Sequence, residues 1–65
     1  MNPLDSTLMR KALICRKLSM IAFERAFEFI LDGECNQAKG SAELGCAYVR
    51  QARRWELTMQ SGEGN

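Results

Sequence analysis

Small and apolar residues recur at every third or fourth position from residue 8 to residue 29, which is the spacing of one helix face. The positions on this face are Leu8, Ala12, Cys15, Ser19, Ala22, Ala26 and Phe29. The five between Leu8 and Phe29 are small, and small side chains let two helix axes approach closely. The same spacing recurs later, at Ala38, Ala42, Gly45, Val49 and Ala52. We call these two rows the small-residue seams, and together they predict a tight antiparallel helical hairpin.

Helix boundaries follow from the turn-forming residues. Asn2 and Pro3 are typical of a helix start, with an N-cap followed by proline at the first helical position. Nothing breaks a helix until Asp32-Gly33, where the glycine suits the left-handed residue that ends a helix. The sequence therefore predicts one domain over residues 1–65, with a first helix at about 3–32, a loop at about 33–37, a second helix at about 38–60 and a frayed tail at 61–65.

The start of the second helix has two candidate caps, Asn36 and Ser41. Gly40 and Gly45 fall near this start, and each costs about 1 kcal/mol relative to alanine inside a helix. Close approach of the opposite backbone across the seam would explain Gly45.

The first helix is apolar around most of its circumference. At about 100° per residue, an apolar stripe lies on one flank of the seam; its members are Met9, Leu13, Met20, Phe27 and Leu31. Ile14, Leu18 and Ile21 lie on the other flank. A continuous polar strip is formed only by Arg10, Lys17, Glu24 and Glu28.

One partner helix cannot cover so wide an apolar arc, and a large exposed apolar patch usually marks an interface. The second helix offers its seam and an adjacent row of Leu44, Tyr48, Trp55 and Met59. The predicted fold is therefore all-α, with two long antiparallel helices that pair into a homodimeric four-helix bundle. The predicted dimer interface is Met9, Leu13, Met20, Phe27, Leu31, Tyr48 and Trp55. A tetramer, or a complex in which a different protein covers the stripe, stays open.

Size and composition support self-association. A chain of 65 residues builds only a marginal core and usually needs a disulfide, a metal or a partner. Histidine is absent and the three cysteines form no C-x-x-C pair, so zinc sites and a disulfide scaffold are not expected. The longest uncharged apolar run, 18–23, is far shorter than the ~20 residues that span a bilayer. With no secretory leader recognisable, we expect a cytoplasmic protein without a membrane partner.

Catalysis is weakly supported. Without histidine, a general base would have to be a carboxylate, lysine or cysteine. Glu24 and Glu28 have the spacing of helical metal sites but lack the accompanying E-x-x-H motif, so a solvated surface is the better interpretation. The segment 32–36 lacks the ligand pattern of a calcium loop. No catalytic, cofactor-binding or metal-binding residue is predicted, and no cofactor.

The charges are distributed unevenly along the predicted hairpin, although the net charge is only +1. Acidic residues gather at the loop end and basic residues at the open end. The basic end that we expect to face a partner comprises Arg10, Lys17, Arg50, Arg53 and Arg54, with Trp55 available for stacking. A helix-turn-helix domain is disfavoured because it usually needs a third helix.

Together these features predict a small non-enzymatic interaction or regulatory protein that binds a macromolecule. The expected partner, besides a second copy of the chain, is a host or partner protein on which it acts as an adaptor or inhibitor. Compact hairpins without catalytic equipment are typical of phages and other mobile elements. The alternative is a nucleic-acid-binding helical dimer that uses the basic end.

Overall fold

The computed structural model describes the backbone of residues 3–63 and the side-chain surroundings of residues 6–59. Helix α1 spans Pro3–Leu31 and helix α2 spans Cys35–Glu63, and each has 29 residues. The two helices pack against each other in antiparallel order, and the rod that results measures 49 × 14 × 10 Å. Residues 3–63 are thus an all-helical hairpin, as the sequence predicts.

Helix α1 ends in a Schellman motif, in which a left-handed residue lets the chain satisfy its last carbonyl groups. Gly33 has a φ of 78°, and its amide donates to the carbonyl oxygen of Ile30 at 3.0 Å. The Glu34 amide donates to the carbonyl oxygen of Phe29 at 2.8 Å. Glycine reaches this conformation without a Cβ penalty, so the Asp32-Gly33 stop signal works as the sequence indicates.

Helix α2 begins at Cys35, three residues earlier than predicted, and the connection is residues 32–34 instead of 33–37. The Glu34 carbonyl accepts the first helical hydrogen bond, from the Ala38 amide at 2.9 Å. Glu34 therefore closes the turn and occupies the N-cap position at once. Asn36 and Ser41 lie inside α2 and do not cap it.

The outer boundaries differ less from the prediction. Helix α1 ends one residue before the predicted position, at Leu31. Helix α2 continues to Glu63, so residues 61–63 of the predicted frayed tail are helical. The predicted cap Asn2 and the last two residues of the tail lie outside the described residues.

Small side chains form the contact between the helices. Ala12, Ser19, Ala22 and Ala26 of α1 are buried with Leu8, and so are Ala38, Gly45 and Ala52 of α2. Cys15, Phe29, Ala42 and Val49 are half-buried at the same contact. Leu8 is the largest side chain that is buried among residues 6–59. Because burial contributes about 0.8 kcal/mol per methylene, this contact holds the hairpin more weakly than leucine packing would.

Two contacts help to fix how the helices align. The Ser41 hydroxyl donates to the Ala22 carbonyl oxygen at 2.7 Å, and the Phe23 ring lies over Gly45. A Cβ atom at position 45 would lie only 2.9 Å from two ring carbons of Phe23. The glycine therefore makes room for an aromatic side chain, and not for the opposite backbone as the sequence suggested.

Candidate functional site

The apolar stripe of α1 lies on the surface of the hairpin. Its members are between 41% and 70% exposed, with Met9 at the lower value and Leu31 at the upper. The stripe lies about 100–140° around the α1 axis from the buried Leu8 and Ala26, which is too far around the helix for α2 to cover it. A continuous row of large apolar side chains is thus available to a partner.

The C-terminal half of the stripe forms a shallow groove of about 520 Å³. Met20, Phe23 and Phe27 line it, and Glu24 and Glu28 stand along one side. Phe23 and the exposed Ile30 extend the apolar surface beyond the predicted interface. Their spacing of three or four residues from Met20 and Phe27 is the signal that would have included them.

A second apolar face lies on the other side of the hairpin and consists of Ile14, Leu18, Ile21, Leu44 and Tyr48. A groove of about 170 Å³ crosses it between the two helices. Leu18, Ile21 and Arg25 of α1 line this groove together with Leu44 and Tyr48 of α2, and Arg25 is its one charged lining residue. Unlike the apolar stripe, the second apolar face draws on both helices.

Tyr48 and Trp55 lie with the second apolar face and not with the apolar stripe. Tyr48 shares a groove with Leu18 and Ile21, and the Trp55 ring lies 4.9 Å from the Lys11 ammonium. In an antiparallel pair, flanks that turn in the same sense from their seams share a side of the hairpin. Tyr48 and Trp55 turn from the α2 seam in the same sense as Leu18 from the α1 seam. This sense of rotation can be read from the sequence, and it would have placed both residues on the side of the hairpin opposite to the predicted dimer interface.

The basic residues do not converge on one patch. Arg10 and Lys17 lie on the side of α1 that faces away from α2, about 180–200° around the helix from buried Leu8. Arg50 and Arg54 stand two residues either side of fully buried Ala52, which places them on the outer side of α2. The two groups are therefore separated by about two helix diameters, ~20 Å. Arg53 is exposed and lies between the outer side of α2 and the contact.

Other cations near the open end already have partners. The Arg16 guanidinium donates to both carboxylate oxygens of Glu56, at 2.8 and 3.0 Å. These hydrogen bonds lower the pKa of Glu56 and raise the pKa of Arg16. Lys11 covers one face of Trp55, so a nucleic-acid base would have to displace the ammonium before it stacked there.

The described residues include few groups that could take part in catalysis or metal binding. Cys15 is half-buried, whereas Cys35 and Cys46 are exposed, and all three are free thiols. Within the described residues no group of histidine, cysteine, aspartate and glutamate side chains has the arrangement of a metal site. In that same part of the chain, neither helix is both long and apolar enough to cross a bilayer.

No protein-family model, curated protein or solved structure matches this chain. The features of the hairpin that bear on its function are therefore the two apolar faces and the charges beside them.

Proposed function

We propose that the chain is a non-catalytic binding protein that forms a homodimer and docks onto a second, different protein. The observation that supports this function is the presence of two exposed apolar faces on opposite sides of one hairpin. A two-fold dimer occupies the same face on both copies. One apolar face per copy then remains for a different partner.

The apolar stripe is the face that we assign to the dimer. It follows α1 from Met9 to Leu31, about 33 Å at the helical rise per residue. Pairing two such stripes joins two hairpins into a four-helix bundle with the α1 helices at its centre. The dimer would also add the burial of large side chains that the small-residue contact within the hairpin lacks.

The second apolar face is the one that we assign to a partner protein. Tyrosine and arginine are enriched at protein interfaces, and Tyr48 and Arg25 line its groove beside Leu18, Ile21 and Leu44. Arg25 has no ion pair within residues 6–59, so a carboxylate of the partner would complement it. The partner segment is therefore an apolar one that carries an acidic side chain. Such binding fits a cytoplasmic adaptor or inhibitor of a host protein, encoded by a phage or another mobile element.

Two measurements test this function. Light scattering of the reduced protein across a dilution series should give the mass of a dimer. Partner capture should then compare the wild type with Ile21→Asp on the second apolar face and Ala47→Asp on the outer side of α2. We expect Ile21→Asp to remain dimeric and lose a partner that Ala47→Asp retains. Equal capture by both variants would overturn the assignment of this face.

A second candidate function is nucleic-acid binding by α2. Arg50, Arg53 and Arg54 lie within about one helical turn, are exposed, and form no ion pair within residues 6–59. Binding through phosphates would weaken steeply with salt, by roughly one log unit per log unit of salt for each phosphate neutralised. A gel-shift series with random DNA and structured RNA tests this, and absence of binding at low salt would eliminate it.

A further inference from the structure

We propose that the two α1 helices of the dimer pair in antiparallel orientation, so that the N-terminal half of each occupies the groove at the C-terminal half of the other. This inference rests on the proposed dimer and adds its geometry. The occupant of the groove is thus a second copy of this chain, and the charges beside the apolar stripe select its direction.

The polar strip of α1 runs directly beside the apolar stripe and changes sign halfway. Arg10 and Lys17 make its N-terminal half basic, and Glu24 and Glu28 make its C-terminal half acidic. All four side chains are exposed. Arg16–Glu56 is the one ion pair among residues 6–59, so the charges of the strip have no partner there. Four charges at the edge of an apolar row are thus available to a neighbouring molecule.

The groove and its proposed occupant have matching chemistry. The groove offers the apolar side chains of Met20, Phe23 and Phe27, with carboxylates along one side. The N-terminal half of the same stripe offers Met9 and Leu13, both exposed, with cations along the corresponding side. Because a two-fold axis applies the same contact twice, two antiparallel copies fill both grooves at once.

The parallel arrangement leaves the charges of the strip without a partner. In a parallel pair, flanks that turn in the same sense lie on opposite sides, so the two polar strips would stand on opposite sides of the dimer. Antiparallel helices place the basic half of each strip beside the acidic half of the other. Apolar burial supplies most of the affinity in either case, whereas the charges decide the orientation.

A charge-swapped variant tests the orientation directly. It carries Arg10→Glu, Lys17→Glu, Glu24→Lys and Glu28→Lys, which reverse the strip and keep the net charge. In an antiparallel dimer the swapped chain pairs with itself as the wild type does. A mixed dimer of the two chains, however, sets like charges against like charges in both halves.

The readout is the fraction of mixed dimer after the two chains are unfolded and refolded together at low salt. We expect about 10-fold depletion below the statistical share, and partial recovery of mixing at high salt. The matched control is Arg54→Glu with Glu43→Lys, two exposed positions on α2 away from the stripe, which should mix statistically with the wild type. A statistical or larger share of mixed dimer between the wild-type and swapped chains would overturn the antiparallel arrangement, but it would leave the proposed dimer intact.

A second measurement covers the case in which the swapped chain does not fold. A spin label at Arg10→Cys, with the native cysteines replaced by alanine, reports the distance between the two copies of residue 10. For a dyad near residue 19, antiparallel helices separate these positions by about 27 Å, and parallel helices by about 10 Å. The short distance would overturn the inference. A monomer at every concentration would overturn the dimer and the inference together.

Discussion

Gly40 and Gly45 both lie inside α2 but have different surroundings. A Cβ atom at position 40 would meet nothing within 4 Å, whereas one at position 45 would press on the ring of Phe23. Helix propensity alone favours alanine over glycine by about 1 kcal/mol at either position. The neighbours of each glycine therefore decide whether that gain is realised.

We expect Gly40→Ala to raise the free energy of unfolding by about 0.5–1 kcal/mol. The free energy of unfolding of Gly45→Ala should be at least about 1 kcal/mol lower than that of Gly40→Ala, because the Phe23 ring must move out of its position. Urea unfolding followed by circular dichroism measures both. In a Phe23→Ala background the two alanine substitutions should become equivalent. A full gain from Gly45→Ala with Phe23 intact would contradict the packing of the ring on the glycine.

Two serine hydroxyls at the helix contact also differ in their hydrogen bonds. The Ser41 hydroxyl donates across the contact to the Ala22 carbonyl oxygen, while the Ser19 hydroxyl donates within α1 to the Arg16 carbonyl oxygen at 2.6 Å. Only the bond of Ser41 joins one helix to the other.

Ser41→Ala should lower the free energy of unfolding by about 1 kcal/mol, the typical net value of one such hydrogen bond. Ser19→Ala should lie within about 0.5 kcal/mol of the wild type, because alanine fits the small-residue seam and has the higher helix propensity. Chemical denaturation of the two variants provides the comparison. Equal losses would show that the hydrogen bond between the helices is not what makes Ser41 matter.

At the scale of the elements, the Arg16–Glu56 pair joins the two helices near the open end of the hairpin. Its two hydrogen bonds hold the pKa of Glu56 below its ordinary value. A carboxyl group whose pKa is lower in the folded state binds fewer protons there than in the unfolded chain. Its contribution to stability is therefore present at neutral pH and is lost as the pH falls through the folded-state pKa.

We expect Glu56→Gln to flatten the loss of stability between about pH 5 and about pH 3. The control is Glu43→Gln, at an exposed carboxylate with no ion pair within residues 6–59. Thermal unfolding across this pH range, at one fixed protein concentration, gives the comparison. If both variants lost stability with falling pH as steeply as the wild type, the Arg16–Glu56 ion pair would not couple pH to folding.

At the scale of the whole molecule, the hairpin has a small-residue contact inside and large apolar residues outside. Twelve large apolar side chains among residues 6–59 are exposed, and Leu8 is the largest one that is buried there. This distribution is the reverse of a self-sufficient core, which buries its large side chains. We therefore expect folding and association to be coupled.

Phe27→Glu tests that coupling. The two-fold symmetry would place the new carboxylate twice in the apolar interface, so we expect the dimer dissociation constant to rise by about 100-fold or more. The separated hairpins should lose most of their helical signal. Ala47→Glu, on the exposed outer side of α2, should change neither property. Light scattering and circular dichroism measure them, and a well-folded Phe27→Glu monomer would rule out the apolar stripe as the interface that stabilises the fold.

The sequence by itself determined the two helices and the stop at Gly33. The 3-4 spacing of small residues is written locally in the chain, and so is the need for a left-handed glycine at a sharp helix end. The side of the hairpin taken by Tyr48 was also readable from the sequence, because its sense of rotation about the seam is fixed by residue number.

Only the tertiary structure decided which side chains meet across the contact. Glu34 both closes the turn after α1 and accepts the first hydrogen bond of α2. The connection is therefore shorter than predicted, and its length sets the axial offset between the helices. That offset and the side-chain conformations place Phe23 over Gly45, Arg16 against Glu56 and Lys11 over Trp55. A periodic pattern specifies which face of a helix points inward. The same pattern fits the partner helix equally well after one helix is shifted along its axis by one repeat. The alignment of individual residues therefore depends on the turn and the packing of the folded chain.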